Sequence, residues 1–338
     1  FRQVYDIARN TGAYLVEQLG VDRTPVAVFA GRKMVTPAYF LGVVYAGRPY
    51  APIDASLPDK RIEKILENLC PGAIVADRES LEHVESIVDE LAKSESFDRP
   101  QIFIAEDISR FEQVACADSN CKISESAGDA VTDSENDTDG GVVAGCAGKT
   151  DDSSLEKLAA VRRQMSMTDP LYIIYTSGST GNPKGVMTSH LSLMTYINAY
   201  CDVMHIEESD VLGNQSPLDY IAAIRDIYLP LKTGCSTAII PKEYFMEPNA
   251  LFDYMNDKKV SSVGWSVSAF TILTSLGAFE EVGLKSLRKI CFSGSVMPCR
   301  VLRKWQENLP EAHFVNQYGP TEATASCTYY SVDHLVEE

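Results

Sequence analysis

The stretch that most constrains this chain is Leu171 to His190, LYIIYTSGSTGNPKGVMTSH, where an apolar run passes directly into a loop of small polar residues and glycine. Leu171 to Tyr175 are apolar or aromatic and partly β-branched, which reads as a buried strand. Thr176, Ser177, Gly178, Ser179, Thr180 and Gly181 follow, then Asn182, Pro183 and one lysine, Lys184. The glycines let the backbone reach positive φ and turn its N–H groups toward a ligand; the hydroxyls add donors and Lys184 a point charge. Such a loop suits a polyphosphate, and a glycine-rich surface turn is the alternative. A P-loop kinase fits poorly, because GSTGNPK departs from GxxxxGK[ST] and places Pro183 before the lysine.

A strand ending in a ligand loop needs a sheet around it, and the rest of the chain supplies the pattern for one. Its 338 residues, 45% hydrophobic and 23% charged, have a globular composition with room for two or three packed units. Phe1 to Gly20 reads as an amphipathic helix. Then strand-like and helix-like segments alternate: TPVAVFAG, a buried helix from Met34 to Ala46, YAPID, a helix from Lys60 to Leu69, GAIVAD, a helix from Ser80 to Leu91, and QIFIAED. This predicts an α/β fold, a parallel sheet with helices on both sides, over residues 1–112. From 113 to 153 the chain is rich in Asp, Ser, Gly and Ala, carries about seven of the seventeen net negative charges and has almost no aromatic or large aliphatic residue. It reads as a disordered acidic insertion. After a short helix from Leu155 to Met165, residues 154–338 repeat the alternation, giving a second doubly wound βα layer whose loops lie at the carboxyl ends of its strands.

Other properties exclude some partners. No run of about eighteen uncharged apolar residues occurs and the first residues lack a signal-peptide pattern, so no membrane is expected and a cytoplasmic location follows by default. Nine cysteines without a CxxC pair favour reduced thiols over disulfides or a metal cluster. A formal charge of −17 argues against a nucleic-acid partner.

A second signal lies far downstream in NQYGPTE, Asn316 to Glu322. Tyr318 offers a face for a purine, Gly319 and Pro320 set a tight turn, Thr321 offers a hydroxyl to a phosphate, and Glu322 is a hard oxygen ligand for magnesium.

Tyr175 to Val186, YTSGSTGNPKGV, resembles the phosphate-loop signature of the adenylate-forming (AMP-binding) superfamily of peptide-synthetase adenylation domains, acyl-CoA synthetases and luciferases, and it matches at every fixed position. YGPTE resembles the second signature of that superfamily, and GRPYAPIDASLPDKRI its early segment GxxYxPIDxxxPxxRI, which could equally be a crossover without direct chemistry. The resemblance implies ATP and Mg2+ as cofactors. Thr176 to Gly181 and Lys184 would hold phosphates, Tyr318 would stack on adenine beside Asn316 and Gly319, Thr321 would contact the α-phosphate, and Glu322 would hold the metal. FSGSVMP, Phe292 to Pro298, resembles the loop laid along adenine, with Gly294 as the contact, but Ser295 replaces the acid usual there. Trp265 and Ser266, with Ser293, would line the acyl pocket, a purely core Trp265 being the alternative.

The implied activity is adenylation of a carboxylic acid, an amino acid first among them, for transfer to a phosphopantetheinyl carrier protein. An acyl-CoA or aryl-acid synthetase and a non-catalytic ATP-binding module are the alternatives. RDIYLPLKTG and GWSVSAF are similar to the D-alanine:carrier-protein ligase branch. Placing Asp226-Ile227-Tyr228 on the family pattern puts Ile221 where domains for α-amino acids carry an amine-binding aspartate, with Tyr220 before it and Asp219 two residues earlier. In extended backbone that shift is about 6–7 Å along one face, so Asp219 is expected to meet a displaced amine, as in a β-amino acid. The family's C-terminal lid, with its lysine and TGD aspartate, is not found in this sequence, so the chain is expected to be an N-terminal core with weak activity alone.

Overall fold

The computed structural model describes residues 1–110, 152–177 and 181–337. The expected acidic insertion falls outside the described residues but for its last two positions, where the helix Asp152–Gln164 has begun. Gly178, Ser179 and Thr180 of the phosphate loop also lie outside them.

Among the described residues, twelve strands form two six-stranded sheets. In the first, β1 (Val26–Phe29), β2 (Tyr50–Pro52), β3 (Ala73–Ala76), β4 (Gln101–Ile104), β5 (Pro170–Ser177) and β6 (Pro183–Ser189) lie in the order β4-β3-β1-β2-β5-β6. In the second, β7 (Val211–Asn214), β8 (Ser236–Ile239), β9 (Ser262–Ser266), β10 (Lys289–Ser293), β11 (His313–Tyr318) and β12 (Thr328–Ser331) lie in the order β12-β11-β10-β9-β7-β8. Each sheet is parallel except for one antiparallel edge strand, β6 on β5 and β12 on β11. The α/β layers expected from the alternation are therefore present as two mixed sheets.

Three features depart from the sequence reading. Pro183 to Ser189, read as part of the polar stretch, is a strand paired antiparallel with β5, so the expected phosphate loop falls between two paired strands. An edge strand covered on one side shows little apolar pattern: Pro183 and Thr188 are buried while Lys184, Gly185 and Met187 face out. The hairpin also completes the first sheet, although residues beyond 154 were assigned to the second unit. Finally, β7 and β12 were not anticipated, being four residues each, with the first three of β12 exposed.

Residues alternate between faces along each strand, and this divides the core into three. Ala27, Phe29, Ile74 and Ala76 pack outward on helices Asp59–Leu69 and Leu81–Leu91. Val263, Trp265, Ile290, Phe292 and Phe314 pack outward on the other side of the molecule. Between the sheets a shared core joins Val28, Tyr50 and Tyr172 of the first to Leu212, Cys291 and Val315 of the second. Helices His190–Met204 and Ile224–Thr233 contribute Tyr196, Tyr200, Ile224 and Ile227 to this middle layer.

Candidate functional site

The carboxyl ends of β10 and β11 open into a cleft of about 670 Å³ lined by Phe292, Gly294, Ser295, Asn316, Tyr318 and Gly319, among others. The two adenine-loop segments, distant in sequence, meet because β10 and β11 are parallel neighbours, Phe292 opposite Asn316. Gly294 holds φ at +96°, a conformation that excludes most side chains. Gly319 is required for space, since a Cβ there would come 2.5 Å from Ser326 Cα. The turn is closed by Cys327 N donating to Tyr318 O at 2.9 Å. Tyr318 itself is 70% exposed, so its ring is available to a flat ligand.

Beyond the cleft, the 3-10 turn Thr321–Ala323 packs against β6. Lys184, exposed near the start of β6, pairs with Thr176 of β5, and Ser177 ends β5 opposite Pro183. The structure thus gathers Thr176, Ser177, Lys184, Thr321 and Glu322 along one edge, with Gly294, Asn316, Tyr318 and Gly319 beside it. Gly181, at φ +77°, follows the undescribed tip and has open space around it.

The hairpin has an anchor that sequence reasoning missed. Tyr175 Oη donates to Asn68 Oδ1 at 2.9 Å, and Lys64 Nζ donates to Asn182 Oδ1 at 3.0 Å. Both partners lie on helix Asp59–Leu69, at i and i+4 on its polar face. That spacing, in the segment read as a helix from Lys60 to Leu69, was the available signal. Burial pushes the Tyr175 hydroxyl up, so it stays a protonated donor. Burial also lowers the His190 imidazole, opposed by Asp169.

The expected substrate residues are dispersed. Trp265 is a core residue, 1% exposed, with Nε1 donating to Gly213 O at 2.8 Å and its ring against Phe245 and Phe270. The reason is strand parity: Gly264 and Ser266 face the middle layer, and Trp265 faces away from it. Ile221 is buried in the middle core and Tyr220 is 55% exposed. Asp219 lines a separate hollow of about 220 Å³ with Arg32, Asp54 and Lys242, and none of the lining residues is shared with the cleft. Burial, and then Asp54, raises the Asp219 carboxyl. Ser293, half-buried, ends β10 opposite Ser266 at the rim of the middle layer.

Glu322 presents an exposed carboxylate near the hairpin, a donor set that fits a magnesium ion shared with phosphate oxygens. Among the described residues no group of three or more His, Cys, Asp or Glu could form a metal cage by itself. Nor is any described helix long and apolar enough to cross a membrane.

Two mixed sheets whose strand ends carry an aromatic turn and a hydroxyl-rich hairpin define a class of nucleotide-binding α/β proteins. The sequence pattern of one family, described as AMP-binding enzyme, matches residues 1–338, and the chain belongs to that family. It is 29% identical over 339 residues to the D-alanine--D-alanyl carrier protein ligase of Bacillus cereus (strain AH187), covering 100% of this chain and 56% of that protein. The like-named protein of Bacillus licheniformis is 27% identical over 333 residues, covering 98% and 55%. The chain therefore spans about half the length of the curated relatives it matches. Among solved structures, the fold is similar to holo-AB3403, a four-domain nonribosomal peptide synthetase bound to AMP and glycine (TM-score 0.71, 20% identity, 100% of this chain and 20% of that one). It is also similar to the nonribosomal peptide synthetase FmoA3 (TM-score 0.73, 20% identity, 98% and 30%).

Proposed function

We propose that this chain is the nucleotide- and acid-binding core of an AMP-forming ligase, which activates a small carboxylic acid with ATP and passes the acyl group to a phosphopantetheinyl carrier protein. The observation that carries the reading is the packing of β6, bearing Lys184, against the turn bearing Thr321 and Glu322. A strand bearing a cation and a turn bearing a hydroxyl and a carboxylate, next to a cleft with an exposed tyrosine, match the parts of a magnesium-bound nucleoside polyphosphate. The relatives' name, a ligase for D-alanine and a carrier protein, supports the acceptor.

In this reading the substrate carboxylate attacks the α-phosphorus of ATP, forming an acyl-adenylate and releasing pyrophosphate. Tyr318 and the Gly294 backbone hold the adenine. Thr176, Ser177 and Lys184, with the adjoining residues Gly178 to Gly181, bind the phosphates, and Thr321 meets the α-phosphate. Magnesium, held by Glu322, supplies further neutralisation of phosphate charge when bound. Placement and charge neutralisation, rather than covalent chemistry by the protein, lower the barrier. The test is ATP–pyrophosphate exchange by the full-length parent protein across a panel of amino, aryl and fatty acids, alongside calorimetry of MgATP. Exchange dependent on one class of acid is expected. MgATP binding without exchange by any acid would favour a non-catalytic module, and exchange followed by transfer to coenzyme A an acyl-CoA synthetase.

A further inference from the structure

In the middle layer, against β9 two residues short of its carboxyl end, the protein buries a charge that it only partly satisfies. Arg225, in the first turn of helix Ile224–Thr233, is 4% exposed. Its Nε lies 3.2 Å from Asp226 Oδ1, and Asp226 Oδ2 is already taken by Asn214 Nδ2 at 2.8 Å. Neither Nε nor Nη2 of Arg225 finds a hydrogen-bond partner among the described residues, and it is the one arginine there with two such nitrogens. The buried Tyr196 hydroxyl lies against this guanidinium and has no other side-chain partner among the described residues. A guanidinium is a fork of donors matched to a carboxylate, and leaving such donors unpaired inside a protein is costly.

The setting places this cluster where an acid substrate would end. The guanidinium lies over Gly264, where a Cβ would come 2.4 Å from both Cζ and Nε, so the absence of a side chain there makes its seat. Gly264 pairs with Cys291, and Cys291 with Val315, across β9, β10 and β11. Two residues further along the same face, about 6–7 Å away, come Ser266 and Ser293, which end β9 and β10, and Gln317, which lines the cleft. A bound acid with its reacting carboxylate at the nucleotide and its chain pointing down between the sheets would meet Arg225 and Tyr196.

We propose that Arg225, helped by the Tyr196 hydroxyl, receives the distal carboxylate of a dicarboxylic substrate, an acidic amino acid or a short diacid. This rests on the ligase reading and narrows it. Asp226 offsets one positive charge but leaves Nε and Nη2 without a well-aligned acceptor, and a second carboxylate supplies one. A neutral acid of the same length leaves them unpaired, which is the kind of loss that gives strong discrimination.

The experiment is pyrophosphate exchange by the full-length parent enzyme with L-glutamate, L-2-aminoadipate and succinate against L-glutamine, L-norvaline and butyrate. The wild type is expected to favour the diacids by at least about tenfold in kcat/KM. Arg225→Met lowers their use about ten- to a hundredfold, mainly through KM, while use of the neutral analogues holds or rises; Arg225→Lys retains part of the preference. Wild-type preference for the neutral acids overturns the proposal and leaves the ligase reading standing. So does an equal loss for both groups in Arg225→Met when MgATP binding is intact. Should Arg225→Met not fold, the wild-type ratio and Arg225→Lys decide. Exchange with no acid at all refutes the ligase reading, and this inference with it.

Discussion

Lys184 and Asp77 are both charged, and their surroundings give them opposite tasks. Lys184 is exposed on an edge strand, so its removal should leave stability within about 0.5 kcal/mol of wild type. Its value lies in the ligand: losing one charge-assisted contact of about 1.5–3 kcal/mol lowers affinity about ten- to a hundredfold. Lys184→Ala is therefore expected to weaken MgATP binding by calorimetry with an unchanged melting temperature; a fall in melting temperature with normal binding would refute its role. Asp77 is buried at the end of β3, with Oδ2 accepting from Gly31 N at 2.9 Å and facing Lys33 Nζ at 3.1 Å, and Oδ1 accepting from Ser80 N at 3.0 Å. Burial alone would raise its carboxyl, but the bonds from Gly31, Ser80 and Lys33 outweigh it and hold the carboxyl below its ordinary value of 3.8. The stabilisation is full above that value and is lost as pH falls through the lower, folded one. Asp77→Asn should melt below wild type at neutral pH, with the gap closing under acid; a gap that widens under acid would reverse the sign. That Lys184, Tyr318 and Glu322 stand exposed at a strand edge and a turn was legible in the sequence, because polar groups beside glycine and proline mark such places. For Trp265 the pocket and core readings stayed open because residue type does not tell which face of a strand turns inward, and Arg225 was passed over because its burial cannot be seen from an otherwise helical segment.

On the scale of elements, the hairpin β5–β6 depends on a helix that never needs to touch the ligand. Lys64 and Asn68 hold Asn182 and Tyr175 from helix Asp59–Leu69, on either side of the polar tip. Replacing both by alanine removes two hydrogen bonds, a modest loss of about 1–3 kcal/mol that falls on the hairpin and not on the core. Backbone amides of Thr176 and Lys184 should then exchange faster with solvent, and MgATP should bind several-fold more weakly. Unchanged exchange would mean that the β5–β6 ladder alone holds the tip. Central strands such as β1, β3 and β10 were legible because parallel strands covered on both faces read as continuous apolar runs. The edge strands β6 and β12 were not, because one face meets solvent and their pairing partner, rather than their composition, makes them strands. β7 was hidden by its length and by Gly213 and Asn214, residues uncommon in strands.

Across the whole molecule, the question is whether the two sheets stand or fall together. Sequence alternation shows two βα series but not that a shared core lies between them, since that depends on which faces meet. The middle layer joins Tyr50 and Tyr172 to Leu212, Cys291 and Val315, and Tyr228 Oη donates to Tyr50 Oη at 3.2 Å. At the rim, Arg32 reaches from the loop after β1 to Asn214 of the second sheet, its Nη2 donating to Asn214 O and Oδ1 at 2.7 Å each. Trp265 and Trp305, the chain's two tryptophans, both lie in the outer core of the second sheet, whereas circular dichroism at helix wavelengths reports every layer. If the middle layer couples the sheets, fluorescence and circular dichroism give one coincident urea transition. Arg32→Ala strands the side-chain oxygen of Asn214 and the carbonyl of Ile240, whereas the Asn214 carbonyl keeps its bond from Ile240 N, and should lower stability by about 1–3 kcal/mol in both signals together. A fluorescence transition that precedes the other, or an Arg32→Ala effect confined to one signal, would show two independently unfolding sheets. The nucleotide edge, built from β6 of one sheet and the Thr321–Ala323 turn beyond the other, would then need a ligand to hold it together.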